Sequence, residues 1–275
     1  MEIFLGPAGL PLSSKGTSTI DGIKRVSELK LNALELEFVQ NIYLNEKYAK
    51  EVGDVAKEFG IRLSIHAPYY INLCARDKRI VEASKQRILK TAQIGEIINA
   101  DAIAIHSAYY LESREKTFEN LKQNFLEILD KLRESGISNV RLGIEIMGKE
   151  NMFGSLDEVI QLCKEINHKQ LVPYLDFGHI YVRNNGKINY REIFDKLKSL
   201  KLNHINSHFE GVKYNLKTKK FVDIHTTIDK HPPFRPLAQE ILKRKLNITI
   251  ISESPILEID SLKMKSILDE LRHQL

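Results

Sequence analysis

The 275-residue chain has no Trp and only two Cys, Cys74 and Cys163. Two lone, distant thiols cannot frame a disulfide scaffold, and without a Cys-x-x-Cys pair they offer no structural zinc site. No apolar run approaches the roughly 20 residues of a membrane-spanning helix. The opening Met1-Glu2-Ile3 reads as the start of a strand, not as a basic secretory leader. These absences lead to the expectation of a cytoplasmic protein with no membrane partner. Pro/Gly/Ser-rich linkers and low-complexity tracts are also missing, so residues 1–275 are expected to form one domain. An excess of one charge sign is lacking too: 41 Lys+Arg against 36 Asp+Glu leave +5. That balance permits a polyanionic partner without announcing one. The 43% hydrophobic content excludes a disordered chain.

What is present is alternation. Strand-like runs occur at Glu2–Gly6, Ala33–Phe38, Ile61–His66, Ala102–His106, Val140–Ile146, Leu171–Asp176, Asn203–His208 and Ile248–Glu253. Helix-patterned segments such as Asp21–Leu29, Val81–Ile98 and Phe118–Glu134 lie between them. In the last of these, Leu121, Phe125, Ile128 and Leu132 recur at three- and four-residue steps, the period of a helix packed on one side. Eight such units predict an α/β fold, a single (β/α)8 barrel, with a doubly wound open sheet as the competitor. Two stretches, Pro7–Thr17 and Glu210–Pro236, read as irregular.

Active groups of such a barrel come from the C-terminal strand ends. Here those ends carry Glu37, His66, His106, Glu145, Asp176, His208 and Glu253. Side chains two apart share a strand face. Ile61, Leu63 and Ile65 therefore oppose Arg62, Ser64 and His66, while Leu142, Ile144 and Ile146 oppose Arg141, Gly143 and Glu145. The apolar sets must face the helices, which turns the ligand-type residues into the barrel mouth. One polar strand end is ordinary; seven in phase are not. Imidazole with carboxylate and no thiolate suits zinc, manganese or iron. Asp176-Phe177-Gly178-His179 adds a candidate ligand in the loop above strand six. Asp223-Ile224-His225 puts two more on one side of an extended segment.

These residues resemble the endonuclease IV family, within the wider xylose-isomerase-like barrels. The motifs in order are His66-Ala67-Pro68-Tyr69-Tyr70-Ile71-Asn72-Leu73, His106-Ser107, Glu145, Asp176-x-x-His179, His208, Asp223-x-His225 and Glu253-Ser254-Pro255. The resemblance implies nine ligands for three metal ions, zinc being expected and manganese or iron the alternatives. One ion would take His66, His106 and a shared Glu145; the second Glu145, Asp176, His208 and Glu253; the third His179, Asp223 and His225. Four carboxylates against three divalent ions would leave the site at about +2, suited to a phosphodiester and an activated water. Glu145 is the expected catalytic residue, orienting that water. The implied partner is double-stranded DNA with an abasic site, cut on its 5′ side by a monomeric enzyme. Tyr69, Tyr70 and Asn72 are the expected substrate contacts, since aromatics beside a metal cluster suit stacking on bases.

The chain departs from the family at two places. The stretch Phe38–Tyr43 lacks the Arg that bacterial members insert into DNA, and Gly6–Pro11 replaces their usual His-containing start. A sugar isomerase or epimerase of the same superfamily therefore stands as the alternative, using Glu145, Asp176, His208 and Glu253 around one ion or a pair. A lesion-binding protein without turnover is a third reading. Within the barrel, Glu35 is expected to pair with Arg62, because a buried charge needs a partner. Glu37 lies higher, toward substrate. His204 is expected to serve the core, and Asp229-Lys230-His231 competes with Asp223-x-His225 for the third ion. Lys213, Lys217, Lys219 and Lys220 form a basic loop where phosphates would pass.

Overall fold

In a computed structural model, which describes residues 1–274, all eight expected strands form and lie parallel. They are β1 (Ile3–Pro7), β2 (Ala33–Glu37), β3 (Arg62–His66), β4 (Ala102–Ile105), β5 (Arg141–Glu145), β6 (Leu171–Asp176), β7 (Ile205–Phe209) and, after an inserted hairpin, β10 (Ile248–Ser252). Their spatial order, β1-β10-β7-β6-β5-β4-β3-β2, leaves β1 and β2 at its two ends, and these pack against each other across a seam that makes the sheet a nearly closed TIM barrel. Helices α1 (Thr19–Glu28), α2 (Glu46–Glu58), α3 (Lys78–Ile97), α4 (Arg114–Glu134), α5 (Leu156–Ile166), α6 (Phe177–Arg183), α7 (Tyr190–Leu197), α8 (Phe234–Arg244) and α9 (Glu258–His273) fill the connections. No described helix is long and apolar enough to cross a membrane.

The expected face assignment is what the structure shows. Leu63, Ile65, Ile103, Ile105, Leu142 and Ile144 are buried in the outer layer with Ile88, Ala92, Leu121, Phe125 and Ile128 of α3 and α4. The inward set is polar or small. Tyr174 fills the barrel centre against Ala102 and Ala104; a Cβ at Gly143 would come within 2.7 Å of its ring, so glycine makes room for it.

Beneath Tyr174 lies an ionic floor. Asp101 binds Arg62 at 2.6 Å and Arg141 at 2.5 Å, and Arg141 reaches Asn206 at 2.8 Å. Glu35 does not pair with Arg62. The register sets Glu35 level with Ser64 and Ala33 level with Arg62, so the arginine lies one pleat too low. His204 sits in this floor, 2.8 Å from the Thr249 hydroxyl. Burial is the first cause that lowers its pKa, to about 4, and the neighbouring Arg62 outweighs Asp101 in the same direction.

Glu210–Pro236 is not irregular. It contains the antiparallel hairpin of β8 (Gly211–Asn215) and β9 (Lys220–Thr226), bulged between Val212 and Lys213. The tip turns because the Asn215 carboxamide oxygen accepts from Lys217 and Thr218 amides at 2.9 and 3.2 Å, and Lys219 takes a left-handed φ of 53°. Pro7–Thr17 holds no element beyond the end of β1. It is tied down by the Leu12 and Ser13 amides, which donate to the buried Glu258 carboxylate.

The β1–β2 seam is held by Asn32, whose side chain accepts from the Leu5 amide at 2.7 Å and donates to the Ile3 carbonyl at 3.1 Å. Gly6 lets the strands approach: a Cβ there would lie 1.6 Å from the Ala33 carbonyl oxygen. Gly6→Ala is expected to cost about 1–3 kcal/mol by forcing the seam apart, read by denaturant unfolding. Because the folded-state pKa of His204 lies below its unfolded value, the stability it contributes is present above about pH 6.5 and is lost as pH falls toward 4. His204→Asn should flatten the stability profile across that window, measured as the difference between wild-type and variant unfolding curves.

Candidate metal centre

The barrel mouth collects its polar residues by strand phase. His66 and Glu145 end β3 and β5, Asp176 ends β6, and His208 lies in β7. His106 and Glu253 follow β4 and β10 by one residue. Asp223 and His225 come from β9, two apart on one side of that strand. Asp176-x-x-His179 is not a loop motif: Asp176 caps α6, its Oδ1 accepting from the His179 amide, and His179 rides on the first helical turn.

All nine expected ligands converge. Two expected sets, His66–His106–Glu145 and His179–Asp223–His225, bring their ligand atoms together, whereas the expected set Glu145, Asp176, His208 and Glu253 is divided among Glu145–Asp176–His179, Glu35–His208–Glu253 and Asp176–Glu210–Glu253. Glu145 lies at the hub, 3.3 Å from His66, 3.1 Å from His106, 3.3 Å from His179 and 3.5 Å from His208. The Asp229–His231 pair stays out of the cluster: Asp229 binds Lys263 at 2.7 Å, and His231 stacks on Tyr181.

The imidazoles of His66, His225 and His208 are oriented as metal ligands are, with one nitrogen engaged and the other presented to the cluster. His179 shows both to it, Nδ1 to Asp176 and Glu145 and Nε2 to Asp223. His66 Nδ1 lies 2.8 Å from the Ala67 carbonyl oxygen, His179 Nδ1 3.0 Å from that of Ile146, and His225 Nδ1 3.1 Å from that of Glu253. His208 reverses the pattern. Its Nε2 donates to Glu35 at 2.6 Å, and its buried Nδ1 has no hydrogen-bond partner. Glu35 is clamped in turn by the Ser64 hydroxyl at 2.6 Å and the Tyr174 hydroxyl at 2.7 Å.

Both Glu145 oxygens and Asp176 Oδ2 are also buried without a hydrogen-bond partner. Buried carboxylates short of hydrogen-bond donors are costly, so acceptors converging on imidazoles fit divalent cations. The protonation pattern agrees. Burial pulls the His66 pKa down, but the Glu145 carboxylate 3.3 Å away, with Glu37 and Glu253, outweighs it and raises it to about 10. Burial opposes His225 in the same way, and Asp223 raises it, again to about 10. It also works against His179 and His208, yet their carboxylate neighbours hold both well above the usual range. Burial would raise Glu145, but the surrounding imidazoles hold it well below the usual carboxylate range. The imidazolium charges stand where cation charge would be.

Three more carboxylates line the cavity. Glu35 anchors His208. Glu37 is pushed up to about 8, first by burial, and its Oε1 has no partner. Glu210, which sequence reasoning missed, is fully buried and joins Asp176 and Glu253. The signal was available: Asn206, His208 and Glu210 continue one strand face at two-residue steps.

At the rim, Tyr69 and Tyr70 are 50% and 58% exposed. Tyr69 stacks on His106, with ring centroids 5.2 Å apart. Asn72 is turned to loop structure, its side-chain oxygen accepting from the Cys74 amide at 3.1 Å. Lys213, Lys217, Lys219 and Lys220 are exposed on the hairpin.

A family model described as Xylose isomerase-like TIM barrel matches residues 23–272. An uncharacterised protein of Methanocaldococcus jannaschii is 33% identical over 98% of this chain and 98% of its own. A probable endonuclease 4 of Mycobacterium leprae is 24% identical over 54% of this chain and 56% of that protein, so the match spans about half of each. Among solved structures, a D-tagatose 3-epimerase-like protein superposes with a TM-score of 0.75 at 19% identity, covering 98% of this chain and 96% of the other. Endonuclease IV from Thermus thermophilus superposes with a TM-score of 0.71 at 17% identity, covering 96% of this chain and 99% of the other.

Adding zinc or manganese to chelator-stripped protein should raise its melting temperature, with about 2.7 kcal/mol of stabilisation at a free ion concentration 100 times the Kd. Uptake should release protons near neutral pH, because the ligating imidazoles must give theirs up. Calorimetry in buffers of different ionisation enthalpy measures both, and a chelator should reverse the gain.

Proposed function

The chain belongs to the xylose isomerase-like TIM barrel family, and on that footing we propose that it is a metal-dependent phosphodiesterase cutting DNA 5′ to abasic sites. The observation that carries this reading is the third ligand group. His179, Asp223 and His225 stand beside the groups built on Glu145, whereas a sugar epimerase of this superfamily needs one ion or a pair. His66, His106 and Glu145 would hold one ion, Glu145, Asp176, His208 and Glu253 the next, and His179, Asp223 and His225 the last. Divalent ions bound there supply Lewis-acid activation of water and charge neutralisation at the phosphodiester.

The protein's own part is positioning. At the centre, Glu145 presents two oxygens that accept no hydrogen bond and orients the attacking water. The Glu35 clamp fixes which nitrogen of His208 faces the cavity. Tyr69, stacked on His106, and Tyr70 beside it offer flat surfaces to the bases bordering a gap. An abasic nucleotide has no base to unstack, so extruding it into the mouth costs little. Lys149, 3.7 Å from Asp223, and the lysines of the β8–β9 hairpin lie where the phosphate backbone would run.

A second reading, epimerisation of a ketose, is favoured by the likeness to the D-tagatose 3-epimerase-like fold and by the acidity that Glu35, Glu37 and Glu210 add to the cavity. An incision assay on an abasic duplex, run beside a ketose epimerisation assay and elemental analysis, separates the two. Three ions with 5′ incision are expected; one or two ions with sugar turnover and no incision would sink the phosphodiesterase reading. Glu145→Gln should lower incision by more than about 100-fold, the upper range for losing even a group that only supports a metal ligand, with an unchanged circular dichroism spectrum.

A further inference from the structure

We propose that Glu210 is an additional oxygen ligand at the central cation position, beside Asp176 and Glu253, and that it makes this position select a hard ion of the manganese class over zinc. Three observations carry the assignment. Glu210 is fully buried, and neither of its carboxylate oxygens has a hydrogen-bond partner. Its ligand atom lies within 4.8 Å of those of Asp176 and Glu253. Its seat is also built: a Cβ on Gly178 would fall 1.6 Å from Glu210 Oε1, so the first turn of α6 is left bare where the carboxylate passes. A carboxylate with no structural partner, threaded past a glycine toward two other carboxylates, has a cation as its natural counterpart.

The selectivity follows from counting donors. With Glu210, the central position is bordered by three carboxylates, Asp176, Glu253 and Glu210. Asp176 shares a further group with Glu145 and His179, and Glu253 one with Glu35 and His208, so carboxylates outnumber imidazoles there five to two. The flanking groups are imidazole-rich: His66 and His106 on one side, His179 and His225 on the other. Zinc prefers four ligands with nitrogen or sulfur among them. Carboxylate-rich sites of higher coordination number suit manganese. Glu210 thus divides one cavity into a hard centre and softer flanks.

The inference rests on reading the cavity as a metal centre, and the test separates the two. The full chain is stripped with chelator, reloaded from equimolar Mn2+ and Zn2+ and desalted. Retained metals are counted by elemental analysis, and the manganese environment is followed by electron paramagnetic resonance. Wild type should retain manganese at one position and zinc at the others. Glu210→Gln should weaken manganese retention at least about tenfold, with zinc at the flanks unchanged. Glu210→Asp, which withdraws the carboxylate by one methylene, should weaken the same ion. Melting of the ion-free proteins supplies a readout that a structural role would reverse. Without metal, Glu210→Gln should melt no lower than wild type, since an unpaired buried carboxylate has been removed, yet gain less on adding Mn2+. A variant with wild-type manganese retention, or one that melts lower without metal and gains as much with it, overturns the assignment. A wild type that takes zinc at every position overturns it without any variant. A wild type that retains no metal removes the metal-centre reading itself.

Discussion

Taking an ionised group out of water costs several kcal/mol unless partners replace its hydration, and the interior of this barrel meets that demand at two levels. At the floor, Asp101 answers two arginines, and Arg141 directs its remaining donors to Asn206 and the His204 carbonyl. Higher up, Glu35 is satisfied by Ser64, Tyr174 and His208 at once. That satisfaction leaves His208 with one nitrogen committed and one aimed at the mouth. Above it the partners run out, and Glu145, Asp176 and Glu210 keep oxygens that nothing in the described residues hydrogen-bonds. The shift from carboxylates answered by arginines and hydroxyls below to carboxylates short of donors above is the boundary between scaffold and chemistry.

Much of this was legible because strand phase is a strict two-residue code. Leu63 and Ile65 had to face helices, so Ser64 and His66 had to face inward, and the same argument brought Glu145, Asp176 and His208 to one cavity. Phase does not report height, however. Glu35 and Arg62 share the inward face of adjacent strands, yet the register offsets them by one pleat, and the arginine finds Asp101 instead. Glu210 was missed for a related reason. It lies past the end of β7, in the one-residue step before β8, where no apolar alternation marks a strand face. The hairpin escaped because its outer face is lysine-rich and its alternation is broken by the bulge at Val212 and Lys213.

Backbone economy explains where the glycines lie. Gly6 allows two strands to meet at the seam, Gly143 admits the Tyr174 ring, and Gly178 admits the Glu210 carboxylate. Each absent side chain makes room for a group that another part of the chain delivers. The fold therefore reads as complementary in volume as well as in charge. Neither property is visible in composition, where 14 glycines are an ordinary number.

The placement of Asp176 carries one more consequence. One of its oxygens holds the first turn of α6 while the other faces the centre, and His179 leaves that same turn toward Asp223 and His225. Two ligand groups are thus joined by a single helical turn and not by a loop. Three residues of helix advance about 4.5 Å, so the step between the two side chains is set by backbone geometry. The turn acts as a ruler: its hydrogen bonds set how far apart Asp176 and His179 present their side chains to the two groups they belong to.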